Sequence, residues 1–583
     1  MIPDKYTNSS VSRLLKEVAA AYEVLEEDKF RIRAYQNAST SIEHATSEVY
    51  DLWEQGRLRE ISGIGASLAA HLDEFFKTGK AKHFEETFAK LPDGMFGVFG
   101  LQGIGAKTAF KLAVALKIKN RDTAEEKVKK AALEGKIRVL DGFGEKKEAE
   151  ILEVIEKLKP GKEKRGRMLL PVAEEIANRY LHFLQDSKLI EQIEPLGSIR
   201  RRVATVGDLD FAVATTNPKA VLEKFVTFAE IAEVLNIGEV KASVLLKNGV
   251  RVDLMAIEPD SFGSMLQHFT GSKLHNVALR TYALEKGLSL SEHGIKKEGK
   301  LKKFADEKSF YEYIGLPLIP PELREDRGEL QAAEKKLLPD MITLEDIKGD
   351  IHTHTDFSDG SNTLEEMVDG ALKLGYEYFG VSDHAPSVIN RGETSVMSII
   401  TSTRNNIEQI NSSNTNLRLL FGYEVNILSN AEISLPDKFL KLLDYAIGSI
   451  HTSFDQPKDK ITKRLISAIK NPYITFIAHP TGRLINERDS YECDWELLFK
   501  EALEYGKFIE INAHPERLDL PDLLVREALE KGVKLIINTD AHHIDHLKLM
   551  RYGIDVARRG WATKKDVINT LPRDKFLKTF LKR

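Results

Sequence analysis

The chain of 583 residues has a single cysteine, Cys493. An intramolecular disulfide is impossible and a thiolate metal cluster is excluded, which fits a reducing compartment. Long apolar runs are missing as well. No stretch reaches the ~20 residues that a membrane span needs, and the first residues, MIPDKYTNSS, carry no signal-peptide pattern. The expectation is a cytoplasmic protein with no membrane partner. A basic excess is the third absence. Lys and Arg number 84 against 89 Asp and Glu, a net charge of −5. Composition therefore gives no argument for nucleic-acid binding, which must come from local geometry.

What is present describes a large globular chain. Hydrophobic content of 42% and charged content of 30% are ordinary, and the length demands three or more folding units. Histidine is unevenly placed. Nine of the 16 follow residue 347, most of them after β-like runs, which predicts a metal site in the last third.

The first 160 residues are helical in pattern and repeat internally. Ile61-Ser62-Gly63-Ile64-Gly65, Leu101-Gln102-Gly103-Ile104-Gly105 and Leu140-Asp141-Gly142-Phe143-Gly144 place their first glycines 40 and 39 residues apart, each before a helical segment. This is the helix-hairpin-helix pattern. Glycine lets the chain turn tightly and approach a phosphate, which the free N–H groups of the next helix can bind. A single copy reads equally well as a helix cap. Three in register point to DNA-backbone binding by Gly63, Gly65, Gly103, Gly105, Gly142 and Gly144.

Residues 203–214 read as a strand and 240–256 as a hairpin turning at Lys247-Asn248-Gly249. Asp208 and Asp210 at i and i+2 would share one face of the strand. Asp253, in Arg251-Val252-Asp253-Leu254, would lie on a neighbouring strand. Three carboxylates converging from adjacent strands suit two Mg²⁺ ions, one activating a 3′-oxygen and the other holding a triphosphate. An Asp-x-Asp alone is a weak signal, but here it closely follows Gly197-Ser198-Ile199-Arg200-Arg201-Arg202.

Gly-Ser-x-Arg-Arg, Gly-Asp-x-Asp, Arg-x-Asp and then Phe269-Thr270-Gly271-Ser272 together resemble the X-family DNA polymerases over roughly residues 1–325. The resemblance implies a helical DNA-end-binding domain (1–85), a fingers-like domain (86–160), an α+β nucleotidyltransferase palm (161–265) and a thumb (266–321). It makes Asp208, Asp210 and Asp253 the catalytic metal ligands. Ser198 and Arg201 would hold the dNTP triphosphate, Phe269 and Gly271 the sugar, Asn276 the base edge, and Arg280 the template minor groove. Gapped or nicked duplex DNA with a 5′-phosphate would be the substrate, Arg31 the 5′-phosphate contact, and the protein a monomer. Three positions depart from the animal pattern. His268 replaces the tyrosine before Phe269, and His71 and Ser67 stand where lysines are expected in the first helix-hairpin-helix. An imidazole cannot form the imine that a lysine forms, so 5′-phosphate binding without efficient lyase chemistry is expected.

Residues 322–347 are charged, lack strand character and read as a linker. From 348 to 583 β-runs alternate with amphipathic helices, with strands expected at 350–354, 378–383, 417–426, 445–450, 474–478, 507–512 and 533–539. Seven βα units predict a parallel barrel with chemistry at the strand C-termini. Six of the seven strand ends carry ligand-type residues. Imidazoles mixed with carboxylates suit Mn²⁺ or Zn²⁺ better than Mg²⁺ alone. The order resembles the PHP phosphoesterase family, a distorted (β/α)₇ barrel in which nine residues hold up to three metals. Those would be His352, His354, Asp359, His384, Glu424, His451, His479, Asp540 and His542, with no member missing. Asp383 is expected to orient His384 or another ligand, Arg483 and Arg517 to face the substrate phosphate, and His514 to be a possible substrate contact.

These readings predict a multidomain repair enzyme that fills short gaps and trims 3′ ends as a 3′-5′ exonuclease, with 3′-phosphatase or abasic-site endonuclease action as variants. One alternative is a PHP phosphoesterase whose N-terminal half only binds DNA; another is a non-catalytic DNA-end scaffold. Two complete carboxylate and histidine sets argue against both.

Overall fold

A computed structural model describes residues 6, 8–43, 49–54, 56, 58–61, 64–99, 104–140, 143–144, 147–148, 151–152, 167–185, 189–413 and 416–581. The chain divides into two compact units, Met1–Glu163 and Lys164–Arg583.

The first unit is helical. One apolar cluster gathers residues from Tyr6 to Phe84, and another gathers Met95 to Ile151 together with Ala21 of the first helix, Asn8–Val24. Gly65 precedes helix Ala66–Thr78 at φ −79°, ψ 174°, and Gly105 precedes helix Ala106–Ala115 at φ −77°, ψ 174°. The two repeats thus enter their helices with the same backbone. Gly63, Gly103 and Gly142 lie outside the described residues.

The second unit opens with β1 (Met168–Leu169), helix Leu170–Gln185, β2 (Gln192–Pro195), β3 (Thr205–Val206) and β4 (Leu209–Ala214). β5 (Ile231–Ile237), β6 (Lys241–Leu246) and β7 (Arg251–Ile257) complete a five-stranded sheet in the order β2-β4-β7-β6-β5. Asp208 sits in the bend just before β4 rather than on the strand. The expected hairpin is present, with Gly249 at φ 82° in its turn, a conformation that glycine adopts without steric cost. Helices Phe262–Thr270 and Lys273–Glu285 follow, then the meander β8 (Leu288–Ser291), β9 (Gly294–Lys297) and β10 (Lys300–Lys302).

Segment 322–347 is not the solvated linker expected from its charge. Leu323, Leu330 and Ala333 join the core of the preceding subdomain, and Ile342 and Ile347 join the core that follows. Several of its charges are paired within the fold: the fully buried Arg324 donates to Glu307 at 2.7 Å and to the Ile319 carbonyl at 2.8 Å. Charge density misleads where such charges find partners in the fold.

The last portion is a parallel sheet of seven strands in chain order. These are β11 (Gly349–Asp350), β12 (Tyr378–Val381), β13 (Arg418–Asn426), β14 (Tyr445–Ser449), β15 (Ile474–Ile477), β16 (Phe508–Asn512) and β17 (Leu535–Asn538). β11 is shorter than expected because side chains replace the ladder. Ile351 N donates to Asn538 Oδ1 and Thr353 N to Ser382 Oγ, both at 3.0 Å. The first and last strands meet through a Thr353–Ala541 bridge, which nearly closes the barrel. One continuous apolar cluster runs from the five-stranded sheet into the barrel.

Candidate active sites

Ligand-type side chains converge at the C-terminal mouth of the barrel. Glu424, inside β13, is the hub. Its carboxylate lies 2.9 Å from His479, 3.2 Å from His451 and His384, 3.6 Å from His352 and 3.7 Å from His354. Asp540 lies 3.2 Å from His354 and 3.5 Å from His352. Asp359, from the loop after β11, approaches His542 at 3.3 Å and His384 at 3.4 Å. All nine residues expected from the sequence come together. His352, His354, Glu424, His479 and Asp540 form a buried floor; Asp359, His384, His451 and His542 form a partly open rim. His479 and Asp540 adopt positive φ, 29° and 54°. Such backbone costs a non-glycine residue roughly 1–3 kcal/mol and clusters at functional sites.

Donor atoms within 4.8 Å of one another group as His354/Asp359/His384/His542, His352/His354/Glu424 and His384/Glu424/His451. Buried nitrogens of His352, His354 and His479 have no hydrogen-bond partner among the described residues. Orphaned imidazole nitrogens facing carboxylates fit cation binding. The electrostatics agree. Burial alone would raise Glu424, but His451 and His352 hold it well below the carboxylate range. Burial would lower His352, yet Glu510, Asp540 and Glu424 push it well above its ordinary value.

The outer ring was less visible in the sequence. Glu510, fully buried on β16, accepts from His352 Nδ1 and His479 N, both at 2.8 Å, and so holds both residues in place. Its signal was a lone carboxylate in the apolar run Phe508-Ile509-Glu510-Ile511-Asn512. Asp383 holds the Asp359 loop rather than His384. It accepts from Thr355 N and Ser358 Oγ at 2.7 Å and from Thr355 Oγ1 at 2.8 Å. Arg483 is spent on the backbone, donating to the carbonyls of Arg517 and Leu518. Arg517 faces the site, with Nε 3.4 Å from Asp540 Oδ2. His514 lies beside His546, their ring centres 5.6 Å apart.

The second constellation lies on the five-stranded sheet. Parallel pairing of β4 with β7 sets Asp210 directly beside Asp253. Burial, then Asp208 and Asp253, push the Asp210 carboxyl up to about 6, as expected of acids that need a cation. The three are not drawn into one tight group. Asp253 instead pairs with Lys241 at 2.7 Å and Arg251 at 2.9 Å.

Ser198 sits in the helical turn Gly197–Arg200. Gly197 has φ 59°, and a side chain there would meet Asp210 Oδ2 at 3.4 Å, so the turn abuts the acids. Arg201 donates to the Thr270 carbonyl at 2.5 Å and to Glu325 at 3.1 Å. A Cβ on Gly271, at φ 72°, would meet the Arg201 guanidinium at 3.0 Å, which places Phe269-Thr270-Gly271 next to it. Asn276 is held by the His268 carbonyl at 2.6 Å and by Gln267 at 2.9 Å. Arg280 stays exposed, 3.4 Å from His268 Nδ1.

In the helical unit Arg31 reaches His83 Nε2 at 3.0 Å, and His83 stacks on His71 with ring centres 4.4 Å apart. Tyr35 hydroxyl meets His71 Nδ1 at 2.9 Å. Burial, then His83 and Arg31, lower the His71 pKa. His83 and Tyr35 were not flagged by the sequence because the contacts that tie them to Arg31 and His71 span 52 and 36 residues.

Three family descriptions match the chain: helix-hairpin-helix domain over 6–81, DNA polymerase beta thumb over 265–325 and PHP domain over 350–514. A Bacillus subtilis protein named DNA polymerase/3′-5′ exonuclease PolX is 35% identical over 578 residues, covering 98% of this chain and 99% of the relative. A probable phosphatase of Thermoanaerobacter is 32% identical over 232 residues, 38% of this chain and 89% of its own length. A probable phosphatase of Caldanaerobacter subterraneus is 31% identical over 204 residues, 33% of this chain and 75% of the relative.

Proposed function

The chain belongs to the X-family DNA polymerases that carry a PHP domain, and we propose that its two constellations are separate active sites, one extending and one trimming DNA 3′ ends. It is a DNA polymerase and 3′-5′ exonuclease that binds DNA, uses dNTPs and depends on divalent metal. The reading goes further in assigning residues. Asp208, Asp210 and Asp253 hold Mg²⁺; Ser198, Arg201, Phe269, Gly271, Asn276 and Arg280 receive the dNTP and template; Arg31 and the helix-hairpin-helix glycines grip the backbone and a gap 5′-phosphate. The nine barrel residues hold up to three Mn²⁺ or Zn²⁺ ions. Bound metal would lower the pKa of water and polarise a phosphodiester; Glu510 and Asp383 keep its ligands in place. The monomeric state and filling of short gaps belong to the same proposal, as do the domain limits 1–85, 86–160, 161–265 and 266–321.

The carrying observation is that the two acid sets share no residue and stand on different sheets. On a labelled gapped duplex with dNTPs and Mn²⁺, Asp208→Ala should abolish extension and keep trimming, and His352→Ala should do the reverse. Loss of both activities in a folded Asp208→Ala protein would break the two-site reading. A second activity, release of a 3′-phosphate, is supported by the barrel's likeness to proteins named probable phosphatases. A duplex ending in 3′-phosphate, scored for inorganic phosphate, tests it.

A further inference from the structure

Helix Met550–Arg559 follows the last barrel strand, yet its side chains end at the Gly197–Arg202 turn of the polymerase sheet. Arg551 and Tyr552 donate to Glu174 Oε2 at 2.7 and 2.8 Å, and Glu174 in turn pairs with Arg202. Asp555 lies 3.6 Å from Arg202 Nε. Arg559, only 6% exposed, donates to the Arg201 carbonyl at 2.7 Å and to Glu325 Oε1 at 3.0 Å. Arg201 Nε reaches that same Glu325 oxygen at 3.1 Å. Asp522 completes the chain of contacts, 2.8 Å from Arg559 and 3.0 Å from Arg327.

In this network the guanidiniums of Arg201, Arg327 and Arg559 share only two carboxylates, Glu325 and Asp522. We propose that Arg559, a residue of the phosphoesterase barrel, is a positioning residue of the polymerase: by sharing Glu325 it leaves the Arg201 guanidinium free to turn to an incoming triphosphate. This rests on the assignment of Arg201 to the triphosphate. The physical argument is competition. A buried carboxylate with two cations holds each less tightly than a carboxylate with one, and in a low-dielectric site the difference is large. Without Arg559, Glu325 would have Arg201 as its remaining close partner and would retain it against the nucleotide. A purely adhesive contact between sheet and barrel would not need Arg559 to meet both the Arg201 carbonyl and its counter-ion.

The test is single-nucleotide insertion on gapped DNA, with 3′-end trimming measured on the same preparations. Arg559→Met should raise the dNTP KM roughly ten-fold, with kcat changed by less than about two-fold and trimming retained. Adding Glu325→Gln to Arg559→Met should restore most of the KM, because the competitor loses its charge. An unchanged KM in a trimming-competent Arg559→Met protein, or a raised KM that Glu325→Gln does not relieve, overturns the proposal. If Arg559→Met does not fold, Arg559→Lys decides: its single ammonium cannot span the carbonyl, Glu325 and Asp522, so a parental KM there is equally fatal. Arg201→Ala separates the two levels, since a parental KM in that variant overturns the triphosphate assignment itself.

Discussion

At Glu510 a single carboxylate touches both His352 Nδ1 and the backbone of His479. A carboxylate behind a ligating imidazole fixes its tautomer and raises its basicity. Glu510→Gln should keep the shape and lose the charge, raising the Mn²⁺ needed for half-maximal trimming roughly 10- to 100-fold while gap filling is unchanged; Mn²⁺ titration of both activities checks this. His71 supports a second expectation. It stacks on His83 and offers no primary amine, so borohydride should trap almost no covalent enzyme on 5′-deoxyribose phosphate DNA. Strong trapping would point to Lys77, Lys80 or Lys82, each paired with a carboxylate on the exposed face. The nine barrel candidates were legible from the sequence because each lies near the end of a β-run or in the loop just beyond it. Glu510 was not, because what it does depends on a partner 158 residues distant; Asp383 was expected to orient a ligand, but its partners Thr355 and Ser358, 25–28 residues away, were not.

Elements explain why the reading of the barrel held and where it blurred. Every expected strand exists, since short apolar runs bounded by polar loops have few other ways to bury themselves. Strand ends were less exact: β11 stops at Asp350 because Asn538 and Ser382 side chains take over its hydrogen bonds. In the polymerase sheet, register was beyond the sequence, and register is what sets Asp210 beside Asp253. Their environments differ. Burial pushes Asp210 up to about 6, whereas for Asp253 the effect of burial is outweighed by Arg251 and Lys241, which lower it. A carboxylate must lose its proton to bind metal. The Mg²⁺ concentration for half-maximal gap filling should therefore climb as pH falls from 7.5 through about 6. Mg²⁺ titrations at several pH values check the sign, and a requirement that stays flat down to pH 5.5 would remove Asp210 from the ligand set.

Across Lys164–Arg583, the sheet and the barrel behave as one body because they share an apolar cluster and a part-buried ion network. The charged segment 322–347 looked like a tether in sequence for the same reason that it is not one: Arg324, Glu325, Arg327 and Glu329 find partners only in the folded chain. The acids of this network share a sign. For Asp522, Glu325 and Glu307 burial alone would raise the carboxyl, but arginines (Arg559 and Arg327, Arg559 and Arg201, Arg324 and Arg200) hold it below its ordinary value. A carboxylate that is more acidic folded than unfolded contributes stability above its unfolded pKa, and that contribution disappears as pH drops. Thermal stability of the polymerase–barrel body should then fall steeply from about pH 4 downward, the ordinary range of these acids. Asp522→Asn leaves Arg559 and Arg327 with a neutral neighbour, and removing one charge of such a part-buried network is destabilising. Its melting temperature should be below parental at pH 7, and the gap between the two proteins should narrow on acidification as Asp522 of the unfolded parental chain takes up a proton that the folded chain resists. Scanning calorimetry of both proteins from pH 7 to pH 3 measures that gap directly. A gap that stays constant would mean that Asp522 acts through its shape and not its charge.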